Sequence, residues 1–269
     1  MTILITGATG LVGERLVPRL VEAGLSCRVL LRAGKPSPLG ATAVTGDILD
    51  PLTLSDAVRG ISAVVHLAAV FRTQDTDLIW KSNLEGTRNL IAALKAKAPD
   101  ARFIMSSTSN VYNIDNPHPG REEDPVDPKQ AYPASKVAAE KELRESGLNW
   151  SIIRFPFVYG DGDGHLDSLS QFVGNWHPAQ RMSTIHHRDI ANAVKLALDG
   201  VFDGHVVNVA DEAPASVYEL AGLLDARMES SCEPLANPWY LHVDASLARS
   251  LGFRASVRTV YQAQQEGLM

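Results

Sequence analysis

The sequence predicts an α/β fold, a doubly wound parallel sheet followed by a small C-terminal lobe. Two observations predict it. Short apolar runs alternate with stretches of helical spacing as far as Arg154, and the first such pair is joined by a turn holding three glycines. Strands buried on both faces read as unbroken apolar runs. Repeated strand–helix units close through right-handed crossovers into a parallel sheet with helices on both faces.

The first unit is ILITGATGLVG, Ile3 to Gly13, and the chain is arranged around it. Ile3, Leu4 and Ile5 form a buried strand. Leu11 to Ala23 follows as an amphipathic helix carrying Leu16, Val17, Leu20 and Val21. Between them Gly7 permits the tight turn, Gly10 lets backbone approach a pyrophosphate, and Gly13 allows close helix–strand packing. The helix N-terminus then offers free N–H groups and a positive dipole end to phosphates. Strand, glycine turn and helix in this order point to a dinucleotide.

Further along, Cys27–Leu31 and Ala41–Thr45 read as the second and third strands, and Leu52–Val58 as a short helix. Ala63–Leu67 is a fourth strand. Asp77–Ala98 reads as one long helix with Leu84, Leu90, Ile91 and Leu94 on a face and Pro99 ending it. Arg102–Ser107 is a fifth strand, and Asn116–Gln130 an exposed loop rich in proline and charge. A helix over Pro133–Ser146 and a strand over Trp150–Arg154 complete the regular pattern. After Tyr159-Gly160 the spacing turns irregular, then Arg188–Leu198 returns to a helix and His205–Val209 to a strand. The division expected is a dinucleotide-binding domain over 1–159 plus 184–210, with a small substrate lobe over 160–183 plus 211–269.

Composition bounds the partners. With 269 residues, 45% hydrophobic and 21% charged, the chain has an ordinary globular composition. A net charge of −6 gives no basic surface for nucleic acid. No apolar run is long enough to span a membrane, and Met1 leads directly into a strand with no room for a signal peptide. Cys27 and Cys232 are read as free thiols, so the expected location is cytoplasmic. His186-His187 lacks a third metal ligand at useful spacing and reads as structural. Asp161, Asp163 and Asp167 echo a calcium loop, but Leu166 and Phe172 stand where the glycine and glutamate are required. No metal is expected.

Chemistry concentrates at Tyr132 and Lys136, four residues apart and so on one helix face, with Ser107 and Thr108 closing the preceding strand. A free tyrosine has a pKa of about 10. A neighbouring ammonium is expected to lower it, so that the phenol exchanges a proton with a substrate oxygen while hydride moves to or from a nicotinamide. Thr108 would hold the same oxygen.

These residues resemble the extended short-chain dehydrogenases/reductases, the NAD(P)-dependent epimerase/dehydratase group, built on the Rossmann fold. The matches run in family order from TGATGLVG (Thr6–Gly13) through Gly46-Asp47, HLAA (His66–Ala69) and Asn83. SSTSNVY (Ser106–Tyr112), YPASK (Tyr132–Lys136), VYG (Val158–Gly160), HHRDIA (His186–Ala191) and NVADEAP (Asn208–Pro214) follow. The resemblance implies that Thr108, Tyr132 and Lys136 are catalytic. At the cofactor it implies Gly7, Thr9, Gly10, Leu11, Val12 and Gly13 of the turn, Asp47 and Ile48 by the adenine, and Leu67, Ala68 and Ala69. Asn83, Ser106, Tyr132 and Lys136 join them, with Phe155 and Val158 by the nicotinamide. At the substrate it implies Phe71, Thr108, Ser109, Asn110, Phe157 and Trp176; Trp176, Trp239 and Tyr240 are candidates for lining the pocket, although aromatics in a small lobe are more often simply core. A homodimer is implied, with Leu84, Leu90, Leu94 and the Tyr132 helix as its interface, although sheet packing explains part of that face.

Departures from the family pattern narrow the expected activity. Dehydratases place an Asp-Glu pair after the threonine, whereas this chain has Ser109 and Asn110. Sugar-nucleotide epimerases carry an asparagine before VYG, where Phe157 stands here, and their segment between Tyr159 and His186 is often much longer. NAD-using relatives place an acid at the end of the second strand to hold the ribose hydroxyls; here Leu31 is followed by Arg32, with Lys35 nearby. NADP is therefore favoured, with NAD as the alternative. Arg181, Arg249 and Arg254 are the remaining cations for a nucleotide diphosphate. The expected activity is interconversion of a compact ketone and a secondary alcohol. The alternatives are a sugar or sugar-nucleotide epimerase and a non-catalytic dinucleotide sensor, which would have no use for Tyr132 and Lys136.

Overall fold

The computed structural model describes residues 1–171 and 176–269; Phe172, on which the calcium-loop reading touched, lies outside them. The chain opens with β1 (Thr2–Thr6), α1 (Gly13–Glu22), β2 (Ser26–Leu31), β3 (Thr42–Thr45), α2 (Pro51–Ala57) and β4 (Ala63–His66). It continues through α3 (Thr76–Trp80), α4 (Gly86–Lys97), β5 (Arg102–Thr108), α5 (Ala131–Arg144), β6 (Trp150–Phe155) and β7 (Phe157–Tyr159). The remainder comprises β8 (Arg181–Met182), β9 (Thr184–His186), α6 (His187–Leu198), β10 (Val206–Asn208), β11 (Ala215–Ser216), α7 (Val217–Leu223), α8 (Ser246–Ser250) and α9 (Val260–Gln265).

Seven strands form one parallel sheet in the order β3-β2-β1-β4-β5-β6-β10. Its faces follow from the alternation of side chains along a strand. Ile3 and Ile5 of β1 point to a core with Leu16, Val17 and Leu20 of α1 and Ile190 and Val194 of α6. Leu4 points to the other, with Leu54, Leu90, Leu94, Phe103, Ala139 and Leu143. Both faces are covered, which is why the strands read as apolar runs rather than alternating ones. The strand order reverses between β1 and β4, and the crevice at the carboxyl ends beside such a reversal is where ligands bind in open α/β sheets.

Three features depart from the sequence reading. The single long helix expected over 77–98 is broken by a π-turn, Lys81–Glu85, between α3 and α4. The wider turn carries Asn83 inward, where its amide accepts from Val70 N (2.7 Å) and donates to Val70 O and Ser135 Oγ (both 3.0 Å). Such bulges keep an i→i+5 bond and are common at functional sites. Leu90 and Leu94 are fully buried within the chain, so they are core and not an intermolecular face. The 116–130 loop is only partly exposed: Gly120 bridges Val243, and Glu122 Oε1 accepts from Asn208 N at 2.7 Å.

Beyond β6, β7 pairs with β9 and β8 with β11, outside the main sheet. Tyr159, Leu166, Leu169, Met182, Leu220 and Val260 gather in a third core. Ala248 and Phe253, from the C-terminal segment, pack instead into the sheet core with α6. His186 and His187 are structural. His186 Nδ1 accepts from Arg188 N (3.1 Å) to cap α6 while Nε2 donates to Leu268 O (2.9 Å); His187 Nε2 meets Asp163 Oδ2 at 2.8 Å.

Candidate active site

A cleft of about 1450 Å³ follows the carboxyl edge of the sheet from Arg32 to Trp176. Pockets for a single small ligand reach roughly 1000 Å³, so this one has room for a dinucleotide and a second molecule together.

At one end the backbone forms the wall. Gly7 has φ +73, and a Cβ there would lie 2.6 Å from Ala68 N; a Cβ on Gly13 would lie 2.2 Å from Gly7 O. Both glycines are therefore required by packing within the turn. Gly10 is exposed and would meet only Gly7 O, at 3.3 Å, so its lack of a side chain leaves room on the cleft side. No side chain caps the N-terminus of α1, whose first N–H groups are left for an acceptor from outside. Thr9, Leu11, Val12, Arg32, Lys35, Asp47 and Ile48 continue this wall. Asp47 Oδ1 accepts from Leu49 N at 2.9 Å, which fixes the end of β3.

A buried chain of hydrogen bonds ties the glycine turn to the loop after β4, and it makes His66 more than a motif letter. Thr87 Oγ1 donates to Asn83 O (2.6 Å), so it accepts from His66 Nε2 (3.1 Å). His66 Nδ1 then accepts from Thr6 Oγ1 (2.7 Å), which itself accepts from Ala68 N (3.3 Å). Burial, with the Lys136 charge adding to it, holds the His66 pKa down to about 3, and the ring is neutral. Leu67, Ala68, Ala69, Ser106, Phe155 and Val158 line the cleft above this chain. Asn83 does not; it is the strut at the chain's far end.

In the middle of the cleft Thr108 ends β5 and Tyr132 stands in the first turn of α5. Thr108 Oγ1 accepts from Asn110 N at 3.2 Å, leaving its hydroxyl proton to be donated. The Tyr132 phenol makes no hydrogen bond among the described residues. The expectation that an ammonium would lower its pKa is not met in this state: burial pushes the phenol up to about 12, and it is protonated at neutral pH. Lys136 is only 1% exposed and does not line the cleft wall. Its Nζ has no hydrogen-bond partner among the described residues, and burial lowers its pKa to about 8 against the opposing pull of Glu140. A buried ammonium without an acceptor is costly. The hydroxyl oxygens of a nicotinamide riboside are acceptors of the kind this nitrogen lacks, and with the glycine turn they make a dinucleotide fit this cleft.

Ser107 turns away from the reaction centre and donates to Glu140 Oε1 at 2.5 Å. Glu140 also receives Arg154 through Nε (3.1 Å) and Nη2 (2.7 Å), and Arg154 reaches Tyr112 OH at 3.0 Å. Ser107, Glu140 and Arg154 of this network are buried behind the β5–α5 junction and hold the two elements that carry Thr108 and Tyr132.

The other end is walled by side chains. The Phe71 ring lies 5.5 Å from that of Tyr132, and Phe157 stacks on His165 at 4.3 Å. Ser109, Asn110, Trp176 and Tyr240 join them; Trp239 does not, and Trp176 also packs on the third core. Arg181, Arg249 and Arg254 do not reach the cleft. Arg72 and His165 do, and neither carried a sequence signal, because nothing in the spacing joins residues 93 apart. Among the described residues no group of three or more His, Cys, Asp or Glu is placed to hold a metal, and no helix is long and apolar enough to cross a membrane.

Residues 3–210 match the profile of the NAD dependent epimerase/dehydratase family. Among similar proteins, the 4-hydroxy-2-methyl-3-oxo-4-farnesyl-3,4-dihydroquinoline-1-oxide ketoreductase of Stigmatella aurantiaca is 28% identical over 83% of this chain and 72% of its own length. The N-acetyl-alpha-D-glucosaminyl-diphospho-ditrans,octacis-undecaprenol 4-epimerase of Escherichia coli is 28% identical over 89% of this chain and 76% of its own. A short-chain dehydrogenase/reductase superfamily protein from Agrobacterium tumefaciens, solved with bound NAD, superposes with a TM-score of 0.82 at 27% identity, covering 99% of this chain and 95% of that one. The chain belongs to the NAD dependent epimerase/dehydratase family of extended short-chain dehydrogenases/reductases and is an NAD(P)-dependent enzyme.

Proposed function

We propose that the protein is an oxidoreductase that interconverts a ketone and a secondary alcohol, with Tyr132 as proton donor and acceptor. The observation that carries this reading is the pairing of an unbonded Tyr132 phenol in the cleft with the buried, unpartnered Lys136 ammonium one turn below it. The nicotinamide cofactor, when bound, supplies or takes the hydride. Thr108 donates its free hydroxyl proton to the substrate oxygen and so orients the carbonyl toward Tyr132. Tyr132, protonated at neutral pH, gives its proton to that oxygen as charge develops on it. Lys136 stabilises the phenolate left behind, since an adjacent cation favours the charged form. Gly7, Gly10 and Gly13 with the N-terminus of α1 would hold the diphosphate, and Lys136 the ribose hydroxyls.

NADP is the proposed cofactor. Arg32 and Lys35 both stand at the adenosine end of the cleft, with Leu31 where an acid would repel a 2′-phosphate. Ser109 and Asn110 cannot titrate, which argues against dehydration. The substrate is a compact carbonyl compound, because Phe71, Phe157 and Trp176 present apolar surface. Net reduction by a ketoreductase relative supports this reading; the similarity to a 4-epimerase supports a second one, in which the same residues oxidise and re-reduce a sugar. A non-catalytic sensor is disfavoured by Tyr132 and Lys136. The test is a screen of ketones and sugar nucleotides with NADPH and NADH, following loss of reduced nicotinamide. Consumption of NADPH by a ketone is the expected result. Epimerisation of a sugar nucleotide with no net consumption would overturn it.

A further inference from the structure

The proposed reaction gives no task to Arg72, which lines the cleft beside Tyr132; of the other charged groups there that it leaves unused, Lys129 is paired with Asp127, and Asp115 is itself an acid. Arg72 follows Phe71 in the loop after β4 and has φ +58, a conformation that residues with side chains rarely adopt. Its guanidinium lies over the Phe71 ring, 5.2 Å from the centroid, and Phe71 in turn stands against Tyr132. Arg72 Nη2 donates to His165 Nε2. The direction of that bond is set by the other ring nitrogen, since His165 Nδ1 donates to Val158 O at 2.7 Å and Nε2 must accept. His165 is itself clamped by stacking on Phe157. Burial, with the Arg72 charge contributing, keeps His165 below its usual range and neutral. The guanidinium is thus fixed from two sides, by a ring beneath and an acceptor beside it.

What it lacks is an anion. Among the described residues Arg72 has no carboxylate partner, and the nearby acid, Asp163, is taken by His187 Nε2 and by His165 N. A guanidinium has five donors in a planar fork that matches an oxyanion, and one bond to His165 leaves most of them open. The surrounding walls, Phe71, Phe157, Leu169 and Trp176, offer no competing charge.

We propose that Arg72, positioned by His165, recognises an oxyanion on the substrate, a carboxylate carried by the carbonyl compound itself. The enzyme then selects oxo acids, and the corresponding hydroxy acids, over neutral ketones of the same size. This rests on the ketone–alcohol reading above but is tested without turnover. Calorimetry of the protein loaded with oxidised NADP, a combination in which an oxo compound does not react, gives dissociation constants directly. The probes are 2-, 3- and 4-oxo carboxylates of four to eight carbons and their methyl esters. A charge-assisted bidentate contact is typically worth roughly 10- to 100-fold in affinity, so at least one acid should bind ~10-fold or more tighter than its ester. Arg72→Ala should remove that preference, and Arg72→Lys should restore it only in part. His165→Leu should lower the ratio of acid to ester affinity, whatever its effect on the affinity of either alone.

Several results would overturn the assignment. Equal binding of acid and ester, or no measurable binding of any acid, would do so. A preference that survives Arg72→Ala would also do so. A fall in NADP affinity in Arg72→Ala, with acid binding unaltered, would assign the guanidinium to a cofactor phosphate instead. Arg72-dependent binding of UDP-sugars in place of the acids would assign it to a nucleotide diphosphate. Acids that bind through Arg72 but are never reduced by the wild-type enzyme would leave this inference standing and remove the proposed function.

Discussion

The two ends of the cleft are built from different materials. Around Gly7 to Gly13 the wall is backbone, fixed by contacts so close that a Cβ on Gly13 would lie 2.2 Å from a carbonyl oxygen. A buried hydrogen-bond chain through Thr6, His66 and Thr87 locks this turn to its neighbour. Around Phe71, Arg72, Phe157 and His165 the wall is side chain, contributed by loops distant in the sequence and held by stacking and by the hydrogen bonds of His165. The backbone end suits a ligand that never changes. The side-chain end can be re-cut by single substitutions without disturbing the sheet, which fits a family whose members share a cofactor and differ in substrate.

Tyr132 sits between the two ends, and the largest effect is expected there. Tyr132→Phe should lower turnover by roughly 10²–10⁴-fold while leaving the fold and cofactor affinity nearly intact. Steady-state kinetics beside a cofactor titration checks this, and turnover within a few-fold of wild type would dissolve the division of labour. Next comes the support behind that residue. Glu140→Gln leaves the Arg154 guanidinium buried without its counter-charge, which typically costs about 3–5 kcal/mol. Urea unfolding should show a loss of that order, whereas Arg72→Ala, on the side-chain wall, should leave stability within about 0.5 kcal/mol.

Legibility in the sequence divides along the same line. The glycine turn, the apolar strands and the Tyr132–Lys136 spacing are local patterns, and each survives in the structure because one helix or one turn determines it. The π-turn was invisible, because Leu84, Leu90 and Leu94 keep a helical period across it while the inward pull on Asn83 comes from Val70 and Ser135. Arg72 and His165 were invisible for a stronger reason: they are 93 residues apart and meet only after β7 has left the sheet. Spacing places Lys136 one turn from Tyr132 but does not reveal the burial that raises the phenol's pKa.

Two smaller effects sharpen the backbone end. Arg32→Ala should reduce the preference for NADP over NAD by roughly 10- to 100-fold, since a hydrogen bond to a charged group is worth about 1.5–3 kcal/mol. Parallel titrations of the two cofactors measure it, and an unchanged NADP affinity would free Arg32 of that role. His66 should make stability depend on acid. Its pKa is about 3 when folded and about 6.5 when unfolded, so below pH 6.5 the unfolded chain binds a proton that the native one does not. Stability from this group is full above 6.5 and is lost progressively as pH falls toward 3, by about 1.4 kcal/mol per unit. Between pH 7 and pH 5 that amounts to about 2 kcal/mol, read by denaturant unfolding. The slope should be shallower in His66→Asn, and an unaltered slope would place the acid sensitivity elsewhere.

The claim that the two ends cooperate in net reduction is tested most directly by isotope transfer. NADPH carrying deuterium at the transferable position of its nicotinamide is incubated with the enzyme and the best ketone or oxo acid from the screen. One deuterium is expected in the carbinol carbon of the product for each NADPH consumed, and none with Tyr132→Phe on the same time scale. Turnover of a sugar nucleotide with the label retained in the cofactor pool and no net loss of NADPH would contradict it.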